Sequence, residues 1–304
     1  MQNTENFKEK LNMVSEDTHL LNFGFIDTVG AGIAEVKGLF DVKAGELVRI
    51  YPCNVTGIAL NLTNKRVGLV LCDSARKVRA GNVVSRTGKL ISIKVSPDLL
   101  GTVINPLGFN LVTKKSLTGS SAVDMLLEQS APDIISRQPI FEPLLTGVTI
   151  VDGLVPIGRG QRELIIGDRQ TGKTAITIDT ILNQTHVICV YVSIGQKCSG
   201  VAQLFRFFQK KNKTKNLVMV CATAADAAPL QYLAAFTGCA VAEYFRDTFG
   251  AATLVIYDDL TKQATAYRQI SLLLRRPPGR EAFPEIFFIF IRVYWSVQRN
   301  YQRN

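Results

Sequence analysis

The sequence predicts a mixed fold in which a small domain of β-strands precedes an α/β domain with a parallel sheet. The first domain is indicated by short apolar runs, with turn residues between them, in residues 20–95. The second is indicated by a glycine-rich loop within residues 163–184, after which strand and helix patterns alternate. A β-only stretch followed by an alternating stretch is typical of two domains of different class.

The β-rich region, residues 20–95, follows a polar arm of residues 1–19 that we expect to be loose or helical. Strand-like runs at intervals of about 8 to 12 residues predict a small barrel or a sandwich. The predicted strands cover residues 32–36, 46–51, 57–62 and 67–71. Few aromatic residues lie in this region, which disfavours a barrel that stacks oligonucleotide bases.

Residues 96–284 form the predicted α/β domain, and its first part, residues 96–160, is rich in proline and glycine. Such a composition predicts a winding connection. From residue 187 onward the pattern has the order βαβαβ, which predicts a parallel sheet with helices on both faces. The predicted strands cover residues 187–192, 217–222 and 253–259, and the predicted helices cover residues 201–208 and 228–247.

A Gly-x4-Gly-Lys-Thr pattern opens the first helix of this domain: Gly167 and Gly172 bracket four residues, and Lys173 and Thr174 follow. The apolar run 164–166 before it predicts a buried strand. Glycine lets the backbone approach phosphate oxygens closely, and the following helix turns its positive end toward the anion. Lys173 can then reach the β- and γ-phosphates, and Thr174 can offer its hydroxyl to Mg²⁺.

A chance glycine turn is the alternative interpretation of this loop, since such short patterns recur by accident. The flanking sequence favours nucleotide binding instead. Ala175, Ile178, Ile181 and Leu182 recur at helical spacing and predict a helix that packs on the sheet.

Two acids, Asp258 and Asp259, end the last predicted strand. The carboxyl ends of strands converge on the ligand crevice in this class of sheet, so Asp258 is predicted to hold Mg²⁺ through water. Asp259 is the weaker candidate for that role. An acidic cap between strand and helix is the alternative interpretation of the pair.

The 304-residue chain carries a net charge of +10, which points to nucleic acid, an anionic membrane surface or an acidic partner subunit. Six cysteines without a Cys-x-x-Cys pair, and only two histidines, disfavour zinc and favour buried, reduced thiols. No apolar run approaches the roughly 18 residues that suggest a membrane span. Residues 1–19 hold four acids and no arginine, which disfavours a secretory signal and an organelle transit peptide.

Four segments together resemble the alpha subunits of rotary F-type ATP synthases, over a match from about residue 23 to Pro284. They are residues 155–164, the loop 167–174, residues 256–260 and residues 272–281. The resemblance implies a six-stranded barrel, a RecA-like nucleotide-binding domain and a C-terminal helical domain. It also implies a ring in which three copies alternate with three catalytic beta subunits around a central shaft. The implied assembly also includes a peripheral stalk. The resemblance implies no nucleic-acid partner, and it implies that the chain associates with the membrane only through the complex.

The resemblance implies Mg-ATP or Mg-ADP as the bound cofactor, with Thr174 and Asp258 as the metal-binding residues. The nucleotide-binding residues that it implies are Gly167, Asp168, Arg169, Gln170, Thr171, Gly172, Lys173, Thr174 and Ala175. No catalytic residue is implied, because Gln196 stands where the catalytic beta paralogue has a glutamate. An amide cannot take a proton from attacking water. The expected role is therefore non-catalytic, regulatory Mg-ATP binding that supports ATP synthesis by the neighbouring beta subunit of a proton-transporting enzyme.

A catalytically competent P-loop ATPase and a RecA-like hexameric RNA translocase are the alternative functions. Gln196 speaks against the self-sufficient ATPase. The translocase would suit the net charge of +10, but the aromatic-poor barrel and the alpha-like segment 275–281 speak against it.

Residues 285–304 depart from the family pattern, as does Cys198, which replaces an arginine. We back-translated this tail with permitted codons and restored one G before it. Read in the frame that starts at that G, it gives the segment with which the family continues after Pro284. We therefore predict that the tail is a frame-shifted reading and that the nucleotide-binding domain, residues 96–284, is incomplete. A genuine hydrophobic tail is the alternative. A parallel sheet that lacks its later strands would expose an unpaired edge and an apolar face.

The lack of a recognisable targeting segment, together with the resemblance, predicts an organelle-encoded subunit. Its expected place is the matrix side of the mitochondrial inner membrane, where it would be peripheral. A bacterial or plastid membrane is the alternative location.

Overall fold

The computed structural model describes residues 23–30, 32–63, 65–72, 77–113, 122–129, 139–168 and 170–274. Predictions made for the arm 1–19, for Arg169, for the segment 275–281 and for the tail 285–304 lie outside the described residues. The described chain divides into two compact units. The first holds the described residues up to Ile91 with residues 227–229 and 268–274, and the second holds the other described residues.

Six antiparallel strands of the first unit close into a barrel, in the order β1-β2-β5-β4-β3-β6. They are β1 (Phe23–Gly30), β2 (Ile33–Gly38), β3 (Glu46–Tyr51), β4 (Val55–Leu62), β5 (Val67–Leu71) and β6 (Val83–Leu90). Closure pairs every strand on both sides, so that the barrel leaves no open edge. The closed barrel decides between the two architectures expected for this region, a barrel and a sandwich, and it confirms the first half of the predicted fold class.

Alternate residues of the barrel strands point inward and form its core, as strand geometry requires. Ala34 and Val36 of β2 and Val48 and Ile50 of β3 are fully buried. Glu46 lies on the same side of β3 and is also buried. A carboxylate in this position needs partners, because burying an unpaired charge is costly.

Those partners come from three places in the barrel. The Glu46 carboxylate accepts hydrogen bonds from Arg86 Nε at 3.0 Å and from Arg86 Nη2 at 3.2 Å. It also accepts from the backbone N–H groups of Lys43 at 2.9 Å and Gly88 at 3.0 Å. One side chain thus ties β6 and the turn before β3 to β3 itself.

Short elements occupy the proline- and glycine-rich region that follows the barrel. They are β7 (Ser92–Val95), β8 (Val103–Ile104), β9 (Val123–Leu126), β10 (Pro143–Leu144), α1 (Thr149–Leu154) and β11 (Ile157–Gly158). β7 pairs with β9, and β10 pairs with β11, each as a two-stranded ribbon. The predicted winding connection fits these pieces except for β8, which joins the main sheet beside β13.

The second unit contains a four-stranded parallel sheet in the order β14-β12-β13-β8. Its longer strands are β12 (Ile188–Gln196), β13 (Leu217–Thr223) and β14 (Thr253–Asp258). The helices are α2 (Lys173–Asn183), α3 (Cys198–Lys210), α4 (Ala228–Phe249) and α5 (Leu260–Leu273). This order is the predicted βαβαβ pattern, and it confirms the α/β half of the fold class. Among the described helices, none is both long and apolar enough to cross a lipid bilayer.

Helices cover both faces of this sheet. On one face, Ile181 of α2 and Phe208 of α3 join a buried cluster with Tyr191 of β12 and Met219 of β13. On the other face, α4 lies so close to β12 that Gly238 has no room for a side chain. Ile178 and Leu182 also pack against the first cluster, as their spacing predicts, whereas Ala175 is exposed.

The strand predicted at residues 164–166 is wrong: Leu164, Ile165 and Ile166 pair with no strand and are 58%, 41% and 86% exposed. An apolar run becomes an interior strand of a parallel sheet only where a strand pairs with it on each side, and with one neighbour it forms an edge strand. β14 is the edge of the sheet, and the described residues contain no further strand that could flank 164–166 on its far side. The local apolar pattern was therefore insufficient.

Gly238 provides a test of the packing between α4 and the sheet. A Cβ at this position would lie 2.3 Å from Val192 Cγ2, and Val192 is fully buried in β12. Gly238→Ala is expected to lower the free energy of unfolding by about 1–3 kcal/mol, because overpacking forces helix and strand apart. Chemical denaturation measures this loss. Gly200→Ala in α3 is the matched control: its Cβ would meet nothing within 4 Å, so the change should be neutral or stabilise by up to about 1 kcal/mol. Equal effects of both changes would contradict the close contact.

The six cysteines form no disulfide bonds, and four of them are buried as the sequence predicts. These four are Cys72, Cys189, Cys221 and Cys239. Burial raises the pKa of Cys189 and Cys221 to about 12, so both stay protonated at neutral pH. Cys53 is half-buried and Cys198 is exposed, contrary to the prediction.

Candidate nucleotide site

The glycine-rich loop leads directly into the first turn of α2. Gly172 immediately precedes the helix with a φ of 92°, a left-handed conformation that glycine adopts without strain. Gln170, inside the loop, also has a positive φ of 63°. The backbone therefore bends sharply at two positions before the helix begins, and both residues are predicted nucleotide contacts.

Polar side chains hold the loop in shape. Thr171 Oγ1 donates a hydrogen bond to the carbonyl oxygen of Asp168 at 2.9 Å. Lys173 Nζ donates to the carbonyl oxygens of Gly167 and Asp168. The ammonium group thus lies against the loop that would surround a phosphate, at the helix end whose partial positive charge favours anions.

Thr174 and Asp258, the two predicted metal-binding residues, lie next to each other although 84 positions separate them in the chain. Thr174 is in the first turn of α2, and its Oγ1 lies 3.3 Å from Asp258 Oδ2 at the carboxyl end of β14. A hydroxyl and a carboxylate oxygen are hard ligands of the kind that Mg²⁺ prefers. The side chains present therefore fit a magnesium ion bound beside the loop.

Two further donors fix the orientation of the Asp258 carboxylate. Tyr191 OH donates to Asp258 Oδ2 at 2.6 Å, and Gln196 Nε2 donates to the same oxygen at 2.7 Å. Tyr191 is buried, and burial followed by the nearby charge of Asp258 raises the pKa of its hydroxyl far above the usual value. Tyr191 consequently stays protonated and remains a donor at any physiological pH.

Asp259 serves a different purpose from its neighbour. Its Oδ1 accepts a hydrogen bond from the backbone N–H of Lys262 at 2.8 Å, and its Oδ2 lies 3.8 Å from Lys262 Nζ. Because Asp259 directly precedes α5, this is the geometry of a helix N-cap. The alternative interpretation, an acidic cap between strand and helix, therefore applies to Asp259, whereas Asp258 contacts Thr174.

Tyr191 and Ser193 are the residues at this site that the sequence did not single out. Both belong to β12, which pairs in register with β14 so that Tyr191 lies opposite Ile256 and Ser193 opposite Asp258. A polar residue within a buried apolar strand was the available signal, since its polar atoms must find partners. The register that brings them to Asp258 could not be obtained from the strands separately.

A comparison with protein families agrees with this geometry. Residues 147–294 match the sequence model for the nucleotide-binding domain of the ATP synthase alpha/beta family. The matched range includes the glycine-rich loop and strands β12 to β14, and it extends past Pro284. The closed barrel ahead of the matched range and the parallel sheet within it agree with the fold of that family.

Proposed function

We propose that this chain is an alpha-type subunit of a proton-transporting rotary ATP synthase, with a regulatory Mg-ATP site that does not hydrolyse its nucleotide. The observation that carries the proposal is the contact between Gln196 and Asp258, in which the amide Nε2 donates to the carboxylate at 2.7 Å. Nucleotide binding itself is supported by the family match.

The contact matters because Gln196 occupies the position expected to distinguish a binding site from a catalytic one. A general base needs an acceptor that can take a proton near neutral pH, and an amide has none. The Gln196 side chain instead acts as a donor and orients the carboxylate. The site is therefore suited to holding the metal and the nucleotide in place, and Gln196 cannot serve as the general base that would activate water.

The remaining residues divide the work of binding. Lys173 and the N-terminus of α2 neutralise phosphate charge, Gly172 lets the backbone approach it, and Thr174 and Asp258 hold Mg²⁺. Mg²⁺ held by Thr174 and Asp258 would neutralise part of the charge on the phosphates. Tyr191 and Gln196 keep the Asp258 carboxylate aimed at Thr174.

The family implies assembly into a hexameric ring of alpha and beta subunits. We infer that the beta subunits in this ring carry out catalysis, and that the ring surrounds a central shaft and contacts a peripheral stalk. We further infer that the complex lies on the matrix side of the mitochondrial inner membrane, and that this chain meets the membrane only through the complex. These statements rest on the resemblance of residues 155–164 and 256–260 to alpha subunits.

Retention of intact nucleotide tests the proposed function. The protein is incubated with Mg-ATP labelled on its terminal phosphate, freed of unbound nucleotide, and assayed over time for bound label and released phosphate. We expect bound ATP to persist with phosphate release at the background rate, and Lys173→Ala to abolish the retained label. Steady phosphate release by the wild-type protein would instead identify a catalytic ATPase, and release that RNA stimulates would identify a translocase.

A further inference from the structure

Ser193 is fully buried in β12, yet its hydroxyl has no hydrogen-bond partner. Across the described ranges, Ser193 Oγ and Arg159 Nε are the buried side-chain atoms left in this state. Buried hydroxyls are nearly always satisfied, because an unpaired one loses its bonds to water without replacement. An unpaired, buried hydroxyl beside a binding site is therefore a candidate contact for the bound ligand.

The strand register defines where this hydroxyl lies. Ser193 pairs with Asp258 of β14 on one side and with Cys221 of β13 on the other. Side chains alternate along a strand, so Ser193 lies on the same face as Tyr191, two residues earlier. That is the face covered by α2, since Tyr191 and Cys221 belong to the cluster that includes Ile181.

Ser193 is therefore the next side chain along the sheet from Asp258, on the face where α2 begins. Tyr191, two residues before Ser193, and Gln196, three residues after it, both donate to Asp258 Oδ2. Thr174 approaches the same oxygen from α2. Three side chains thus converge on one oxygen of Asp258, whereas the hydroxyl of Ser193, which lies opposite Asp258 in the sheet, has no partner.

We propose that Ser193 is an additional positioning residue of the nucleotide site, whose hydroxyl hydrogen-bonds an oxygen of the bound metal–nucleotide complex. That oxygen belongs either to a water held by Mg²⁺ or to the terminal phosphate. The inference rests on the proposed function, because it requires that Mg-nucleotide binds between α2 and the end of β14. It adds a contact from β12 to those made by the loop and by Asp258.

The test compares wild type, Ser193→Ala and Ser193→Cys by calorimetric titration with ATP plus Mg²⁺, ADP plus Mg²⁺, and ATP with a chelator. Cysteine keeps the volume of the site and offers only a weak donor, so it guards against a cavity effect. A lost hydrogen bond is expected to weaken binding about three- to tenfold. If the partner is a metal-held water, both magnesium complexes weaken and chelated ATP does not. If it is the terminal phosphate, ATP weakens with or without Mg²⁺ and ADP does not.

Thermal unfolding without nucleotide supplies the second measurement. Ser193→Ala removes an unsatisfied buried atom, so the Tm of the unliganded protein should stay equal or rise while the increase in Tm on adding Mg-ATP shrinks. Ser85→Ala, at a buried serine of the barrel, is the control and should leave all three affinities unchanged. Two results would overturn the role of Ser193 and leave the proposed function standing. One is that Ser193→Ala leaves all affinities unchanged, and the other is that it weakens every ligand equally and lowers the Tm. A wild-type protein that binds none of the three ligands would overturn the proposed function and this assignment with it.

Discussion

Asp258→Asn is expected to weaken the binding of Mg-ATP about a hundredfold while leaving the affinity for magnesium-free ATP nearly unchanged. The replacement keeps the shape of the side chain and an oxygen that can accept from Tyr191 and Gln196, but it removes the negative charge that faces the metal. A charged hydrogen-bonding or metal-directed contact contributes on the order of 2–3 kcal/mol, which corresponds to this factor. Titration with ATP in the presence and absence of Mg²⁺ separates the two quantities.

Asp259→Asn is the matched control for this prediction. Its carboxylate caps α5 through Lys262, so the change should cost at most about 1 kcal/mol of stability and leave the magnesium dependence intact. If both variants lost the magnesium dependence equally, the separate assignments of the two acids would be wrong. If neither lost it, the metal would bind elsewhere.

Glu46→Ala is expected to lower the free energy of unfolding by about 3–5 kcal/mol, the scale found when one member of a buried ion pair is removed. The change leaves Arg86 without its carboxylate and the backbone N–H groups of Lys43 and Gly88 without their acceptor. Denaturant unfolding followed by circular dichroism measures the loss. Glu35→Ala, which breaks an exposed pair with Arg66, is the control and should cost no more than about 1 kcal/mol.

The same residue should make stability depend on pH in the acid range. Burial opposes ionisation of Glu46, but the hydrogen bonds from Arg86, Lys43 and Gly88 and the charge of Arg86 outweigh it and lower its pKa below the usual 4.5. A group with a lowered pKa in the folded state stabilises fully above its unfolded pKa, and that contribution is lost as the pH falls through the folded value. Below about pH 4.5, the free energy of unfolding of the wild-type protein should therefore fall more steeply with decreasing pH than that of Glu46→Gln. Parallel pH profiles would rule out this role for Glu46.

The sequence predicted elements with strong local patterns more accurately than it predicted their partners. The runs at 46–51, 187–192 and 217–222 are strands because their apolar periodicity is local and continuous. Barrel closure depends on the pairing of β1 with β6, which joins distant segments and has no local pattern. The segment 164–166 shows the same limit, because its apolar run is genuine but its pairing depends on residues far away in sequence.

Within the site, the sequence identified residues that belong to a recognisable motif. It did not identify residues that reach the site only through the alignment of two strands. Thr174 and Asp258 could be predicted because the chemistry of phosphate and metal restricts which residues come after a glycine loop or end a strand. Tyr191 and Ser193 lie in a strand whose local sequence already explains its burial. Their approach to Asp258 follows from how β12 aligns with β14, which depends on the whole sheet.

The position of Asp258 at the end of an edge strand has a consequence for how rigidly the site is held. Within the described residues, β14 pairs with β12 alone, so one side of its backbone has no neighbouring strand. Edge strands open locally at a lower free energy than central ones, and Asp258 would move with β14 when it opens. A ligand that contacts both Asp258 and Thr174 therefore links β14 to α2. Because it binds only when β14 is in place, it raises the free energy that local opening of β14 requires. Nucleotide binding and the opening of β14 are thus coupled: the factor by which opening weakens binding equals the factor by which binding disfavours opening.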